Sequence, residues 1–414
     1  MTSPPHPKHP HTHTLPYPKL PMRHSLPVLA LTLAFMILAA CEQSEDMEQP
    51  PIRIGATMSE SGAYSTQGVP ARNGYLLCEQ HLNEQGGVLG RPVSFVIYDD
   101  ASDSERAIEL YERLITEDEV DAIMGPYGST LTEAVAPVTE EHQFVHITPL
   151  AATSSIWEQG REYLFMVLPP AELFLAGLID MAAENELQRV AIVQEDELFP
   201  RAAGSGAVEL AEEAGMEVLL HETYDSGTDD FSEILAQIDE GDVQVVGMAA
   251  SALSDFITFV EQMKEANVNV QMFGSSGAVD EFQEALGDDA EYAYGLSAWE
   301  PTLPHPGIDE FVEAYEAAFG QSPSFHAAGA YGSCQLFAEA VEEAGTLDAD
   351  AVREVLLELE TTTVFGDFAV DERGYQTAHQ GTFVQWQNGA RVVVWPEDVA
   401  TAEPRFPTPA WGER

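Results

Sequence analysis

Two series of short apolar strands, each alternating with helical segments, run through most of the 414-residue chain. The first series starts with the apolar runs 52–57 and 92–100, separated by the helical segment 68–87. The second starts with the run 189–195, which the helical segment 199–214 follows. Such alternation is typical of parallel sheets with helices on both faces. Because the chain is also too long for one compact core, the sequence predicts two α/β lobes, each a doubly wound, mainly parallel sheet.

The pattern changes towards the carboxyl terminus. Segments 307–320 and 324–345 have helical spacing, whereas 365–396 alternates in the manner of a hairpin meander. Asn388 and Gly389 form a dipeptide that favours a two-residue hairpin turn. We therefore predict two helices and then an antiparallel pair of strands.

The N-terminal part of the sequence is typical of a bacterial lipoprotein signal peptide. The stretch from Met22 to Cys41 has one arginine near its start, an apolar core at 26–38 and small residues directly before the cysteine. The core is too short for a transmembrane helix. We expect removal of residues 1–40, a lipid on Cys41 and a disordered tether at 41–51. Met22 begins a complete signal by itself, so we expect it to be the true start; a plain cleaved signal peptide is the alternative.

The chain is strongly acidic. It carries 70 Asp and Glu against 17 Lys and Arg, a formal net charge of −53, and Lys264 is the one lysine beyond Cys41. Such a surface repels phosphate backbones and anionic lipids. We therefore expect no nucleic-acid partner, and we expect the protein to contact the membrane only through its lipid anchor. This composition is typical of secreted proteins from salt-loving organisms, where salt screens much of the self-repulsion.

Besides Cys41, the chain contains Cys78 and Cys334. Both lie on apolar helical stretches, which favours buried free thiols. A disulfide bond between them is the alternative, since the expected compartment is oxidising.

The stretch DAIMGPYGSTLTEAVAPVTE (121–140) predicts an anion site. An apolar run turns through glycines into a helical segment that begins near Ser129. A helix N-terminus presents free backbone N–H groups and the positive end of the helix dipole, both of which favour a negative group. The alternative is that Ser129 merely caps its helix.

Five motifs in order resemble the periplasmic solute-binding proteins of the branched-chain amino acid and amide type, which serve ABC importers. They are IRIGATMSESGAYSTQG, LNEQGGVLGRPVSFVIYDDASDSERA, MGPYGST, ITPLAATSS and VVVWPEDVATAEP, and they span roughly 52–405. The resemblance implies a two-lobed clamp of the type I class, with crossings between the lobes near residues 170, 300 and 364. It implies a first lobe of 52–170 plus 300–364, a second lobe of 171–299 plus 365–405, and a tail at 406–414.

Ligands of open α/β sheets bind beyond the carboxyl ends of the strands. In the first lobe, the candidate loops follow three predicted strands, and the resemblance implies that the second and third hold the ligand's carboxylate. Glycine lets a backbone approach closely, and serine and threonine offer hydroxyl donors. The candidate residues are Tyr64 and Gln67; Gly128, Ser129 and Thr130; and Ala151, Thr153 and Ser154.

In the second lobe, the resemblance places an aromatic ring over the ligand at Phe199, for which a core position is the alternative. Ala250 follows the strand VQVVGM, and Ser276 follows VQMFG. Amino-acid binders of the family carry an acidic residue at about Ser276 to pair with the ligand ammonium. Two alternatives follow from the serine. Either another acid replaces it (Glu195, Asp196 or Asp280), or the ligand has no ammonium group.

We therefore predict a monomeric, extracytoplasmic protein, in the periplasm or on the cell exterior, that delivers a small amino acid, carboxylate or amide to an ABC permease. A ligand-sensing lipoprotein with the same clamp is one alternative. A secreted esterase is another, since GSSGA at 274–278 approaches a nucleophile elbow but ends in alanine. We expect no catalysis, no cofactor and no metal, because the mature histidines lack an H-E-x-x-H spacing and GPYGST lacks the lysine of a P-loop.

Overall fold

The computed structural model describes residues 49–414, so the expected signal peptide, the start at Met22 and the lipid on Cys41 lie outside it. The strands are β1 (Ile52–Met58), β2 (Val93–Asp99), β3 (Ala122–Met124), β4 (His146–Thr148), β5 (Leu164–Met166), β6 (Arg189–Glu195), β7 (Glu217–Tyr224), β8 (Val245–Ala249), β9 (Met272–Ser275), β10 (Tyr294–Ser297), β11 (Thr361–Thr362), β12 (Asp367–Phe368), β13 (Thr382–Gln387) and β14 (Ala390–Trp395). The helices are α1 (Ser65–Glu84), α2 (Ser104–Thr116), α3 (Ser129–Glu141), α4 (Ala176–Glu184), α5 (Leu198–Glu213), α6 (Ser232–Glu240), α7 (Leu253–Glu265), α8 (Asp280–Leu286), α9 (Ile308–Phe319), α10 (Phe325–Ala344) and α11 (Ala349–Glu358).

The first lobe is built on a five-stranded parallel sheet of order β2-β1-β3-β4-β5. Strand β1 lies inside it, with Ile54 opposite both Phe95 of β2 and Ala122 of β3. Both faces of a central parallel strand are covered by helices, which explains why β1 is buried along nearly its whole length.

The second lobe is built on a seven-stranded sheet of order β14-β13-β10-β9-β8-β6-β7. Strands β6 to β10 run parallel, whereas β13 is antiparallel to both β10 and β14. The turn between β13 and β14 holds Asn388 at φ 57° and Gly389 at φ 75°. Two positive φ angles are the geometry that an Asn-Gly hairpin turn requires, so the predicted hairpin is confirmed.

Helices α9 to α11 pack on the first lobe, where α10 lies against α1 and β4. Near the passage between the lobes, the Trp299 indole N–H donates to the Val364 carbonyl at 2.9 Å. The chain beyond 364 also contacts the first lobe, since the Met166 amide donates to the Gly374 carbonyl. Within residues 49–414, no helix is long and apolar enough to span a membrane.

Cys78 of α1 and Cys334 of α10 form a disulfide bond. The preference for free thiols in the sequence analysis was therefore wrong. Both residues are buried, as expected, but they are 256 positions apart, and their helices meet only in the folded lobe. The bond fastens α10 to α1 within the first lobe.

We expect a chain that begins at residue 49 to release no free thiol when it is denatured without reductant. The double variant Cys78→Ser/Cys334→Ser should lose about 2–5 kcal/mol of unfolding free energy, since the bond closes a long loop. A thiol-reagent titration and urea unfolding in high salt measure both quantities. The single variant Cys78→Ser is the control and should release one thiol; two thiols in the parent chain would contradict the bond.

Candidate functional site

A cleft lies between the two lobes, at the carboxyl ends of the strands of both sheets. It encloses about 590 Å³ of empty space, including its opening to solvent. Its lining residues are Gln67, Tyr127, Gly128, Leu150, Leu168, Phe174, Phe199, Ala250, Ser251, Leu253, Phe256, Ser276, Gly277, Val279, Phe325 and His326.

The lining carries no formal charge at neutral pH. None of the 16 side chains is a carboxylate, an ammonium or a guanidinium. The single histidine, His326, is 4% exposed, and burial lowers the pKa of its imidazole to about 3, with Arg391 contributing in the same direction. The cleft therefore presents aromatic and aliphatic surface with a few neutral polar groups.

Two first-lobe loops meet at the N-terminus of α3. Gly128 is the N-cap residue at φ 82°, a conformation that favours glycine, and its amide donates to the Leu150 carbonyl at 3.2 Å. Ser129 does not cap its own helix. Its Oγ instead accepts the amides of Ala152 at 3.1 Å and Thr153 at 3.3 Å. The helix-cap alternative is therefore wrong, and the hydroxyl joins the two predicted carboxylate loops.

The loop after β4 is buried and incompletely satisfied. Ala151 is fully buried, and Thr153 is 3% exposed with a hydroxyl that has no hydrogen-bond partner within residues 49–414. Ser154, by contrast, donates its hydroxyl to the Glu172 carboxylate. Of these three residues, Thr153 is the one whose polar group is left without a partner beside Ser129.

The first turn of α1 and the loop after β3 reach across to the second lobe. Gln67 Nε2 and the Tyr127 hydroxyl both donate to the Ser251 carbonyl, at 3.2 Å and 3.1 Å. Tyr64 packs on Tyr127 with ring centroids 5.4 Å apart and does not itself line the cleft. The lobes are thus in direct contact through one backbone carbonyl.

A second contact between the lobes lies beside the cleft. The Thr130 hydroxyl donates to Glu197 Oε2 at 2.6 Å, and the Ser226 oxygen lies 3.3 Å from the other oxygen of Glu197. Thr130 therefore points to the opposite lobe rather than into the cleft in this structure. Its role here is to join the N-termini of α3 and α5.

On the second lobe, Phe199, Ala250 and Ser276 all line the cleft. The Phe199 ring packs edge-to-face on Phe174, with centroids 4.9 Å apart. The Ser276 hydroxyl bonds the backbone of Ala250, accepting its amide at 3.2 Å and donating to its carbonyl at 3.4 Å. Its partners in the described chain are thus backbone groups of the neighbouring loop rather than a histidine.

The three acids considered as substitutes at Ser276 do not line the cleft. Asp196 pairs with Arg201, and Asp280 with Arg391, in both cases with more than 40% of the carboxylate side chain exposed. Glu195 is 4% exposed and accepts the Ser251 amide at 2.8 Å and the Ser226 hydroxyl at 2.8 Å. Burial raises the pKa of its carboxyl.

The sequence analysis missed the contribution of α10 to the cleft. Phe325 and His326 open this helix, and their rings stack with centroids 3.9 Å apart. The His326 ring also meets the edge of Tyr127 at 5.6 Å. The helix itself was predicted, but no local signal shows that its first turn faces a loop some 200 residues earlier.

Known proteins similar to this chain belong to a family of binding proteins. The family model described as "Periplasmic binding protein" matches residues 51–391. Leu/Ile/Val-binding protein homolog 7 of Brucella suis biovar 1 is 26% identical over 401 residues, covering 92% of this chain and 99% of the relative.

Solved structures of other binding proteins share the fold of this chain. A leucine binding protein, LivK, from Thermotoga maritima superposes with a TM-score of 0.75 at 20% identity, covering 83% of this chain and 97% of that one. A solute binding protein of an ABC transporter from R. palustris, in complex with benzoate, superposes with a TM-score of 0.73 at 19% identity, covering 83% and 95%. The family match spans most of the sequence and includes strands of both lobes, so this chain belongs to the periplasmic binding protein family.

Proposed function

We propose that this protein is an extracytoplasmic solute-binding lipoprotein that captures a small, largely apolar carboxylic acid without an amino group and delivers it to an ABC importer. The observation that carries the proposal is the uncharged lining of the cleft. An apolar ligand body gains free energy from contact with rings such as Phe199, Phe174 and Phe256. A charged group of the ligand needs hydrogen bonds or an opposite charge, and for a carboxylate the N-terminus of α3 would supply these.

The carboxylate would be held at the N-terminus of α3. Gly128 lines the cleft there, and the first-turn amides and the helix dipole favour a negative group. Ser129 and Thr153 are not themselves among the lining residues, but Ser129 directly follows Gly128 and its oxygen accepts the Thr153 amide. The Ser129 oxygen already receives two N–H groups, which leaves its own hydrogen for an acceptor, and the Thr153 hydroxyl is buried without a partner within residues 49–414. Hydrogen bonds to charged groups are worth about 1.5–3 kcal/mol each, so a few of them account for much of a micromolar affinity of about 8 kcal/mol.

An ammonium group would be poorly compensated in this cleft. Burying an unpaired cation is costly, and Ser276 stands where the resemblance implies an acid. Glu195 is the buried one of the three possible substitutes, but it does not line the cleft, and each of its oxygens already accepts a hydrogen bond from the second lobe. These observations favour an amine-free ligand over a branched-chain amino acid.

The comparisons are compatible with either ligand. The Brucella suis relative is named for leucine, isoleucine and valine, whereas the R. palustris structure contains benzoate, an aromatic acid without an amine. Identities near 20% with the solved structures carry the fold and not the ligand, so the lining of this chain decides the proposal.

Capture would proceed by closure of the clamp. The contacts of Thr130 with Glu197, and of Gln67 and Tyr127 with Ser251, link the lobes directly. A ligand held by the first lobe adds contacts with the second and so shifts the population towards the closed form. The closed monomer, tethered by a lipid on Cys41 in the periplasm or on the cell exterior, would then dock on the permease.

Ligand class is tested with matched pairs of acids and amino acids. We expect 4-methylpentanoate to raise the melting temperature of residues 49–414 in high salt by several degrees, and leucine, which differs by its amino group, to leave it unchanged. 3-Phenylpropanoate and phenylalanine form the second pair, and benzoate completes the panel. Equal stabilisation by both members of each pair would contradict the proposal. In that case, loss of leucine binding in Glu195→Gln would identify the ammonium partner.

The carboxylate site is tested by the double variant Ser129→Ala/Thr153→Ala. We expect at least tenfold weaker binding of the stabilising acid, measured by calorimetry, because two hydroxyl donors are lost while the apolar walls remain. Thr116→Ala is the control, since that hydroxyl bonds the Glu112 carbonyl on the exposed side of α2. Unchanged affinity in a folded double variant would place the carboxylate elsewhere.

The contact between the lobes is tested by a double-mutant cycle on Thr130→Val and Glu197→Ala. Each variant should weaken binding about three- to tenfold by destabilising the closed form, and the combined variant should be no weaker than the worse single one, because both remove the same hydrogen bond. Affinities of two unrelated ligands should fall by the same factor. Additive losses would contradict direct coupling between these side chains.

A further inference from the structure

The cleft contains a second group of unsatisfied polar atoms, separate from the carboxylate loops. Gln67 is 5% exposed and His326 is 4% exposed. Gln67 Oε1 and His326 Nδ1 have no hydrogen-bond partner within the part of the chain that the structure describes. Both residues line the cleft. Buried polar atoms are nearly always paired, so two orphans on one cleft wall indicate a ligand group that would pair with them.

The two side chains lie in one neighbourhood around Tyr127. The Tyr127 hydroxyl shares the Ser251 carbonyl with Gln67 Nε2, and the Tyr127 ring meets His326 at 5.6 Å between centroids. Gln67 belongs to α1 and His326 to α10, the two helices that the Cys78–Cys334 bond fastens together. The pair therefore sits on a rigid part of the first lobe.

The chemistry of the pair selects the class of ligand group. The Gln67 amide nitrogen donates to the Ser251 carbonyl, which leaves Oε1 free to accept a hydrogen bond from a donor on the ligand. A buried, neutral imidazole has one N–H donor and one lone pair, and burial keeps His326 in that form at neutral pH, with its pKa lowered to about 3. A second carboxylate would find no cation here, and an ammonium would find no anion. A hydroxyl group both donates and accepts, and so matches this pair.

We infer that Gln67 and His326 form a subsite for a neutral hydroxyl group of the ligand, so that the preferred solute is a hydroxylated apolar acid. The inference rests on the proposed function, because it assumes that the carboxylate is held at the N-terminus of α3. It assigns the two ends of the ligand to different walls of the first lobe. The aromatic and aliphatic side chains between them contact the ligand body.

The test compares benzoate with 3-hydroxybenzoate and 4-hydroxybenzoate by calorimetry in high salt. We expect one of the two hydroxylated isomers to bind about tenfold more tightly than benzoate. His326→Phe, which keeps a ring of similar shape, should abolish the tenfold preference for that isomer over benzoate. Gln67→Met should reduce the same preference, and it should also weaken both ligands, because it removes the contact of Gln67 with Ser251 that joins the lobes. His142→Phe, at an exposed position at the end of α3, is the matched control and should change neither affinity.

Three results would overturn the subsite. Equal affinities of all three acids would do so, and so would an equal loss for benzoate and its hydroxylated isomer in His326→Phe. Tighter binding of terephthalate than of 4-hydroxybenzoate, with proton uptake detected in buffers of different ionisation enthalpy, would show that the histidine binds a second carboxylate as a cation. Failure of the proposed function gives a different pattern, in which leucine binds as tightly as 4-methylpentanoate.

Discussion

The direction of the parallel strands is the constraint on which the rest of the structure depends. In a parallel sheet every strand returns through a crossover, so the loops that follow the strands all emerge at the same edge. Here the loops after β1, β3 and β4 face those after β6, β8 and β9. The cleft residues come from these loops, from the first turns of α1, α5, α7 and α10, and from the segments linking the lobes. Residues far apart in sequence meet in the cleft because the direction of the strands places all of their loops at the same edge of each sheet.

Backbone groups connect these loops more than ion pairs do. The Ser251 carbonyl receives Gln67 and Tyr127 from the opposite lobe, while its amide is held by Glu195. Ser129 and Ser276 each join neighbouring loops within one lobe through backbone contacts. A site fixed in this way needs no charge in its lining, and the absence of charge from the 16 lining residues is what turns the proposal away from amino acids.

The sequence was sufficient for the elements and their order because these depend on local periodicity. The α3 boundaries, the strand alternation and the Asn388-Gly389 turn all follow from patterns a few residues long. The resemblance to a family then indicated which loops to consider. Of its candidate residues, five line the cleft: Gln67, Gly128, Phe199, Ala250 and Ser276. Six are not among the lining residues: Tyr64, Ser129, Thr130, Ala151, Thr153 and Ser154.

What the sequence could not supply was pairing over long separations. Thr130 and Glu197 are 67 positions apart, and Cys78 and Cys334 are 256 apart. Each of these residues also has an ordinary local interpretation that hides its long-range partner. Thr130 resembles a hydroxyl at a helix start, and the two cysteines resemble buried free thiols. His326 is similar, since a lone histidine at the start of an apolar helix carries no sign of the cleft that it faces.

The contrast between surface and cleft bears on how an acid would be captured. The whole chain has a formal charge of −53, so its field opposes the approach of an anion, most strongly at low salt. At high ionic strength the Debye length falls to about 3 Å at 1 M, and the exposed carboxylates are then screened before the ligand reaches the cleft. Inside the cleft, the proposed contacts of the carboxylate with the α3 N-terminus would be screened far less, because they are partly buried. The association rate of an acidic ligand should therefore rise steeply with salt while its dissociation rate changes little, which stopped-flow measurements at several salt concentrations can establish. A salt-independent association rate would mean that the acid reaches the cleft by a path that the surface charge does not influence.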